Sequence, residues 1–209
     1  GKRFVDEAAS YHEFVRAMYR SHQCVPTIPA MLVCDRRFIR KYGLGMIRPM
    51  TPVLKPYIDN GYLQNAQTLE DLARKIDVDP AGLAATVMQN NEYAASGIDT
   101  EFGKGSNSYD AGNGDATHIP NPCIGPISEP PFCAVAVFPT PLGTSLGLRT
   151  NAAAQVCDAS GKPIQGLYAC GNDMHTIVGG EYPGAGSQLG PAMTFGYLAA
   201  KCAATERKT

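Results

Sequence analysis

The chain has 209 residues and a formal net charge of −1, a balance that gives no electrostatic reason to expect nucleic acid or an anionic membrane as a partner. Its length suffices for one large domain or two small ones, and no apolar run approaches the roughly 20 residues of a transmembrane segment. The seven cysteines are scattered without metal-ligand spacing, so we expect reduced thiols, no metal site and a cytoplasmic compartment.

Helix signals dominate the first hundred residues. The apolar spacing over residues 6–20 predicts a first helix, which contains Tyr11. Two further helices, over 69–76 and 80–96, each follow a capping residue, a threonine in one case and an aspartate in the other. The short apolar run 31–34 is typical of a buried strand. The pair of capped helices is expected to serve packing and not chemistry.

Residues 102–131 are dominated by Gly, Asn, Asp, Ser and Pro and show no periodicity, so we predict a long irregular loop. Loops of this length inside a compact domain are uncommon and often border an active site. Tyr109, Asp110 and His118 are its polar candidates for such a role. The alternative, a connection that only crosses the surface, stays open for each of them.

Strand signals dominate the remaining residues. Apolar runs over 132–138, 154–158 and 167–170 predict three strands, and small apolar residues over 191–204 predict a final helix. We expect Cys34, Cys133, Cys157 and Cys170 to be buried, because each lies in an apolar, strand-like run. The expected fold class is α+β, in two unequal parts that divide near residues 132–145.

A glycine-rich segment, residues 171–190, lies between the last strand and the last helix. This arrangement suits a phosphate, a carboxylate or a polarised ring, because bare backbone allows close approach and first-turn amides point at the ligand. Within it, Tyr182 places a phenol beside exposed amides, and two such neutral donors can polarise a carbonyl. The alternative is an ordinary corner with a packed tyrosine. No nucleophile-elbow, metalloprotease or phosphate-loop motif occurs in the chain.

Three stretches carry a family resemblance: GKRFVDEAASY at the start, PLGTSLGLRTN near the middle, and GLYACGND, GGEYPGAG and LGPAMTFGYLAA at the end. In order and spacing they resemble the FAD-dependent oxidoreductases grouped with the fumarate reductase and succinate dehydrogenase flavoproteins, which include the 3-ketosteroid dehydrogenases. The resemblance implies a helix-rich capping (substrate) domain over residues 1–142. It also implies that residues 143–209 are the C-terminal strands and helix of a Rossmann-like FAD-binding domain.

The N-terminal βαβ unit of that family, with the GxGxxG that seats the FAD diphosphate, has no counterpart in this sequence. We therefore expect the C-terminal portion of a longer flavoenzyme, with the missing N-terminal FAD-binding half as its partner. Alone, such a portion is expected to bind FAD weakly or not at all and to be inactive.

Within the family, Tyr11 stands where fumarate reductases have an arginine that delivers a proton, and their second substrate arginine falls near Tyr182. Without these arginines, a dicarboxylate substrate is disfavoured. Tyr11 and the YPGAG sequence at 182–186 instead resemble the 3-ketosteroid Δ1-dehydrogenases, as does the loop 102–110. The resemblance thus implies a small-molecule substrate of the steroid or cyclic-enone class.

The resemblance also implies residue roles. The Tyr182 hydroxyl and the Gly186 N–H would hold a ring ketone, Tyr11 would remove the neighbouring proton, and the flavin would accept a hydride. The positions implied to bind FAD are Gly171, Asn172 and Asp173 at the ribityl chain, and Ser187, Gln188, Leu189 and Gly190, whose amides would face the ring.

Two alternatives stay open. Asp6 replaces an asparagine that is common in the first motif, and Leu146 replaces a common glycine, so the first alternative is a fumarate-reductase-like flavoprotein acting on another enone or acid. The second is an isolated fragment with no activity of its own.

Overall fold

The computed structural model describes residues 1–206, which form two compact units that divide between Pro139 and Thr140. Both units contain helices and strands, which confirms the predicted α+β class. The units divide just before the domain boundary predicted after residue 142, and the end of the predicted FAD-binding portion, 207–209, lies outside the described residues. None of the helices described in residues 1–206 combines the length and the hydrophobicity needed to cross a bilayer.

The first unit is built on a three-stranded antiparallel sheet and a set of mostly short helices. Its strands are β1 (Ala30–Cys34), β2 (Leu63–Ala66) and β3 (Phe132–Val137), in the spatial order β1–β3–β2. Its helices are α1 (Tyr11–His22), α2 (Arg36–Tyr42), α3 (Lys55–Asp59), α4 (Leu69–Lys75), α5 (Pro80–Ser96) and α6 (Ser108–Asn113). The central strand β3 therefore follows both of its neighbours at a long distance along the chain.

The core of this unit lies on the sheet. Cys34 and Cys133 face each other on β1 and β3 and pack with Leu63 and Val135. Both thiols are free, and burial raises the pKa of Cys133 to about 11, so these two cysteines serve as small apolar side chains. Leu72 of α4 is fully buried in a second cluster with residues of β2 and β3. The predicted burial of these two cysteines is confirmed.

Helix α1 begins at Tyr11, and the predicted start at residue 6 is wrong. Asp6 Oδ1 accepts a hydrogen bond from Ala8 N at 2.8 Å, and Ser10 Oγ caps α1 by accepting from Glu13 N at 3.3 Å. Short polar side chains that bond nearby amides compete with the helical backbone. Residues 6–10 therefore form a turn, and Tyr11 is the first residue of the helix.

The predicted long loop is mostly irregular but is organised by buried polar groups. It contains one short helix that the composition did not indicate, α6, which Asn107 caps. Asp110 of α6 is only 1% exposed, so it does not face solvent. His118 Nε2 lies 2.9 Å from the carbonyl oxygen of Ile124, within hydrogen-bonding distance, so His118 links two parts of the same loop. Tyr109 is exposed.

The second unit contains the hairpin β4 (Gln155–Cys157) and β5 (Pro163–Tyr168), a 3-10 turn (Gly171–Asp173) and helix α7 (Leu189–Glu206). Val156, Ala169 and Met174 form its core, against which Phe195 of α7 packs. Strand β5 begins at Pro163, earlier than predicted. Two further cysteines predicted to be buried, Cys157 and Cys170, are only half-buried, because this small unit encloses few side chains.

Candidate active site

The glycine-rich segment, residues 171–190, forms a corner between β5 and α7 and is called the corner below. It begins with the 3-10 turn that follows β5. Gly171 has a φ of +63°, in the left-handed region where a side chain is strained. A Cβ built on Gly171 would lie 3.5 Å from the Cβ of Ala192, so the turn lies close to α7. Thr144 Oγ1 donates a hydrogen bond to the Asn172 carbonyl at 2.9 Å. The Gly171–Asp173 turn is thus held between α7 and the loop that contains Thr144.

The backbone of that loop lies in direct contact with the backbone of the corner. Leu148 N donates to the Asp173 carbonyl at 2.7 Å, and His175 N donates to the Leu148 carbonyl at 2.9 Å, which together form a parallel bridge. A Cβ on Gly147 would overlap the Asp173 carbonyl oxygen. Glycine is therefore the residue that permits this close approach.

The substitution Gly147→Ala is expected to lower the free energy of unfolding of the second unit by about 1–3 kcal/mol, because the added methyl group must displace backbone. Urea denaturation measures this change. Gly190→Ala is the matched control, since its added methyl would meet open space within α7 and alanine favours a helix. An equal loss of stability in both variants would contradict the role of close approach.

Some backbone amides of the turn before α7 donate hydrogen bonds to backbone carbonyls, and others do not; the latter are called open. Ser187 N donates to the Gly184 carbonyl at 3.2 Å, and Gly190 N donates to the Gly186 carbonyl at 2.8 Å. Two of the four amides predicted to face a ring are therefore already engaged. Within residues 1–206, no backbone carbonyl accepts from the amides of three neighbouring residues, Gly186, Gln188 and Leu189. Open amides at the start of a helix favour a ligand that carries negative charge or a polarised oxygen.

The Ser187 hydroxyl is a second sign of a ligand. Its Oγ is buried and has no hydrogen-bond partner among the described residues. An unpaired buried hydroxyl costs about 1–3 kcal/mol, so a bound group that supplies the partner would be stabilised there. Ser187 borders a crevice of about 10 Å³, which is enough for a single ligand atom or one water. Residues lining the crevice include Thr144, Ser145, Gly171, Met174 and Gln188.

Tyr182 lies in a segment whose course depends on glycine. The φ angles of four flanking glycines lie in the left-handed region: +66° at Gly179, +90° at Gly180, +137° at Gly184 and +89° at Gly186. Residues with a side chain rarely adopt these φ angles, so the backbone conformation on both sides of Tyr182 depends on glycine at these positions. The Tyr182 side chain is half-buried, and the open Gly186 amide follows it within the same segment.

Tyr11 belongs to the first unit, where it is the first residue of α1 and is 51% exposed. The turn formed by residues 6–10 comes immediately before it, and so determines where α1 begins. The first unit also has a wider groove of about 560 Å³ along α5, lined by Val87, Met88 and Ile127 among others. None of the predicted site residues lines that groove.

The structure thus places the predicted flavin-contacting residues together in one unit, on one corner. Thr144 and Ser145 join them, although sequence reasoning assigned them no role. Their signal was available, since both lie in the PLGTSLG stretch that carries the resemblance. The corner's donors are an unpaired hydroxyl and amides at a helix N-terminus, and such donors could hold a cofactor with acceptor oxygens.

A family model described as FAD binding domain (FAD_binding_2) matches residues 1–189. The chain belongs to this family of FAD-binding proteins. The donors at the corner fit that cofactor, because an isoalloxazine ring presents carbonyl oxygens and gains negative charge on reduction.

Named relatives bear out the resemblance to steroid dehydrogenases. A 3-oxosteroid 1-dehydrogenase from Mycobacterium tuberculosis (strain ATCC 25618 / H37Rv) is 38% identical over 96% of this chain and 36% of its own length. A 4-oxocyclohex-2-ene-1-carboxylate 5-dehydrogenase from Sinomonas cyclohexanicum is 38% identical over 96% of this chain and 34% of its own length.

A solved structure is also similar. The 3-ketosteroid Δ1-dehydrogenase from Sterolibacterium denitrificans, in complex with 1,4-androstadiene-3,17-dione, has a TM-score of 0.93 and 43% sequence identity. The similarity covers 98% of this chain and 37% of that protein. The chain therefore spans about a third of the length of the relatives that it matches.

Proposed function

We propose that the protein containing this chain is an FAD-dependent dehydrogenase that oxidises a CH–CH bond beside the carbonyl of a 3-ketosteroid. Residues 1–142 would act as the capping (substrate) domain, and 143–209 as the C-terminal part of the FAD-binding domain. The observation that carries the proposal is the similarity, at a TM-score of 0.93 and 43% identity, to a 3-ketosteroid Δ1-dehydrogenase.

The carbonyl would be held by two neutral donors of the second unit. The Tyr182 hydroxyl is one and the Gly186 N–H is the other, and the open state of that amide supports this role. Two such donors stabilise the negative charge that builds on the ketone oxygen when a neighbouring C–H loses its proton. Tyr11, as its phenolate, is proposed to accept that proton as the general base.

The second unit would also hold the cofactor. Gly171, Asn172 and Asp173 are proposed to lie along the ribityl chain, and the residues from Ser187 to Gly190 at the ring. Ser187 Oγ and the open Gln188 and Leu189 amides would donate to ring acceptors. When bound, FAD supplies the acceptor for the hydride that leaves the carbon next to the deprotonated one.

Replacement of Ser187 by alanine is expected to have opposite effects with and without flavin. Without flavin, the variant should be more stable by about 1 kcal/mol, because an unpaired buried hydroxyl is removed. With flavin, its affinity for FAD should fall about fivefold, because a donor is lost. Denaturation and fluorescence titration measure the two effects.

The control for that variant is Ser160→Ala, in the exposed turn between β4 and β5. It should leave the affinity for FAD unchanged. A Ser187→Ala variant that binds FAD as tightly as the unaltered protein would remove Ser187 from the cofactor site.

Activity should be assayed on the longest natural polypeptide that contains residues 1–209, with 4-androstene-3,17-dione and an artificial electron acceptor. The expected product has lost two hydrogens, which mass spectrometry detects. Absence of that product, in a preparation that carries FAD, would refute the steroid assignment.

A smaller cyclic ketone is the second candidate substrate. The 38% identity to the Sinomonas enzyme, whose name specifies an oxocyclohexene carboxylate, supports it as well as the mycobacterial relative supports a steroid. The comparison of kcat/KM for 4-oxocyclohex-2-ene-1-carboxylate and for 4-androstene-3,17-dione distinguishes them. A higher value for the steroid supports the first candidate.

A further inference from the structure

Arg3 lies in the segment before α1 and joins that segment to a distant part of the first unit. Its Nη2 donates to Asp99 Oδ2 at 2.8 Å, across 96 positions of the chain. Its Nε and Nη2 also donate to the two carboxylate oxygens of Glu7, at 2.7 and 2.8 Å. The Arg3 side chain is only 10% exposed and that of Asp99 is fully buried. These charge-assisted hydrogen bonds are therefore largely shielded from water.

The turn that receives Arg3, residues 99–104, is arranged around the Asp99 carboxylate. The oxygens of this carboxylate accept from the backbone amides of residues 101, 102 and 104 at 3.0, 3.2 and 3.3 Å. The guanidinium carbon of Arg3 lies 4.8 Å from the centre of the Phe102 ring, which adds a cation–π contact. The 99–104 turn thus offers Arg3 both a buried anion and an aromatic face.

Glu7 connects this arrangement to the start of α1. It belongs to the turn formed by residues 6–10, and only three residues separate it from Tyr11. Within that turn, Ala9 N donates to the Asp6 carbonyl at 3.3 Å, and Ser10 Oγ then caps the helix whose first residue is Tyr11. A displacement of Glu7 would therefore be transmitted to Tyr11 through a short, hydrogen-bonded path.

The surrounding charges keep the Arg3–Glu7 pair ionised. Burial opposes the ionisation of Glu7, but the Arg3 hydrogen bond and the charge of Lys104 outweigh it and hold the pKa of Glu7 below its usual value. Lys104 Nζ lies 3.2 Å from Glu7 Oε2, so the 99–104 turn contacts Glu7 as well as Arg3. On the other side, Glu101 Oε2 lies 3.7 Å from Arg3 Nη1.

We propose that the Arg3–Glu7 pair positions Tyr11 for proton abstraction by holding the turn before α1 against the 99–104 turn. Arg3 and Glu7 are positioning residues, because they act through the turn and no contact with substrate or cofactor is proposed for either. This inference rests on the proposed role of Tyr11 as the general base. Such a device matters because a displacement of about 1 Å at a catalytic group can lower the rate by about 10²-fold.

The first test compares the kinetics of Glu7→Gln and the unaltered enzyme, in the longest natural polypeptide that contains residues 1–209. Glutamine keeps the size of the side chain, but its nitrogen cannot accept from Arg3 and it carries no charge for Lys104. With 4-androstene-3,17-dione, kcat is expected to fall about tenfold while KM changes less than about twofold, because other residues hold the ketone. An unchanged kcat, or a rise in KM alone, would overturn the positioning role of the pair.

Arg3→Lys supplies a second variant in case Glu7→Gln does not fold. Lysine keeps the positive charge beside Asp99, but it lacks the fork that bonds both oxygens of Glu7, so a similar loss of kcat is expected. Because both substitutions break the same pair, the double variant should show about the same tenfold loss as either single variant. A loss of about a hundredfold would show that the two residues act independently, against the proposal.

Glu70→Gln is the matched control. It breaks an arginine–glutamate pair with the same four-residue spacing, between Glu70 and Arg74 on the exposed surface of α4. No substrate, cofactor or positioning role is proposed for either residue. The variant should keep the full kcat, and a tenfold loss there would show that the effect of Glu7→Gln is not specific to the turn before α1.

Amide hydrogen exchange tests the pair without any turnover. Peptides that cover residues 4–14 should exchange at least about fivefold faster in Glu7→Gln than in the unaltered protein, because the turn opens more often. Peptides that cover β1 should exchange at the unaltered rate. An unchanged rate over residues 4–14 would overturn the proposed link, and an equal acceleration in β1 would also contradict it, because the effect would then be general unfolding.

The two kinds of measurement separate this inference from the proposed function. If no ketone is turned over but exchange over residues 4–14 is faster in Glu7→Gln, the proposed function fails and the structural link stands. If the ketone is turned over and Glu7→Gln keeps its kcat, the function stands and the positioning role fails.

Discussion

Tyr182→Phe is expected to lower kcat for a 3-ketosteroid by about 10²–10³-fold, the usual effect of removing one donor to a developing oxyanion. The substitution removes a single oxygen and keeps the aromatic ring, so the course of the flanking glycines should be unchanged. FAD content should also be unchanged, because the residues proposed to hold the flavin lie elsewhere in the corner. Steady-state kinetics with an artificial acceptor, and the flavin absorbance of the same preparation, measure the two quantities.

The control for that variant is Tyr197→Phe, which removes an exposed phenol of α7 in the same unit. It should retain the full kcat. If Tyr182→Phe also keeps its kcat with a normal flavin content, Tyr182 does not hold the reacting carbonyl, and the proposed oxyanion site is wrong. If it loses flavin together with activity, Tyr182 supports the cofactor site instead.

Asp99→Ala is expected to have the largest effect on stability, a loss of about 3–5 kcal/mol in the free energy of unfolding of the first unit. The Asp99 side chain is fully buried and accepts from Arg3 Nη2 at 2.8 Å, from Glu101 N at 3.0 Å, and from the amides of Phe102 and Lys104. Its removal leaves the largely buried Arg3 with one fewer counter-charge and the amides without an acceptor. Urea denaturation monitored by circular dichroism measures the loss.

Asp79→Ala is the matched control in the same unit. Asp79 caps α5 by accepting from Gly82 N at 2.8 Å, but it does so at the exposed surface. Its removal should cost about 1 kcal/mol, the usual effect of losing an N-cap. Equal losses in the two variants would show that Asp99 is only another cap.

The contribution of Asp99 should also depend on pH. Burial opposes its ionisation, but hydrogen bonds from Arg3 and the Glu101 and Phe102 amides outweigh this effect and hold the pKa of Asp99 below its usual value. A lowered pKa means that the stabilisation is complete above the pKa of the unfolded chain and is lost as the pH falls through the folded value. The difference in the free energy of unfolding between Asp99→Ala and the unaltered chain should therefore become smaller as the pH falls.

Local signals explain which elements could be predicted. The aspartate and proline at the start of α5 and Gly97 at its end gave its bounds as observed, and Thr68 caps α4 as predicted. Such signals act through hydrogen bonds three or four residues apart, so the neighbouring sequence contains them. The start of α1 was predicted wrongly because Asp6 has the helical spacing but its side chain bonds Ala8 N.

Strand β2 and helix α6 could not be predicted, because their stability comes from distant residues. Leu63 pairs with Val135 of β3, and its apolar neighbours in the cluster come from other elements. The sequence predicts Asp110 to be a polar loop residue. In the structure it lies in α6 and is buried against Asn107 and Gly105. No spacing within residues 102–131 shows which polar group will be enclosed.

The sequence by itself determined the family, the α+β class and the capped helices, because these depend on ordered motifs and on contacts within a few residues. Only the tertiary structure decided which polar groups lack a partner and which backbones touch. It shows the Ser187 hydroxyl buried without a partner, Gly147 against the Asp173 carbonyl, and Asp110 hydrogen-bonded to Asn107 and Gly105. The physical reason is that burial and close approach depend on residues far apart in the chain, so they exist only after folding.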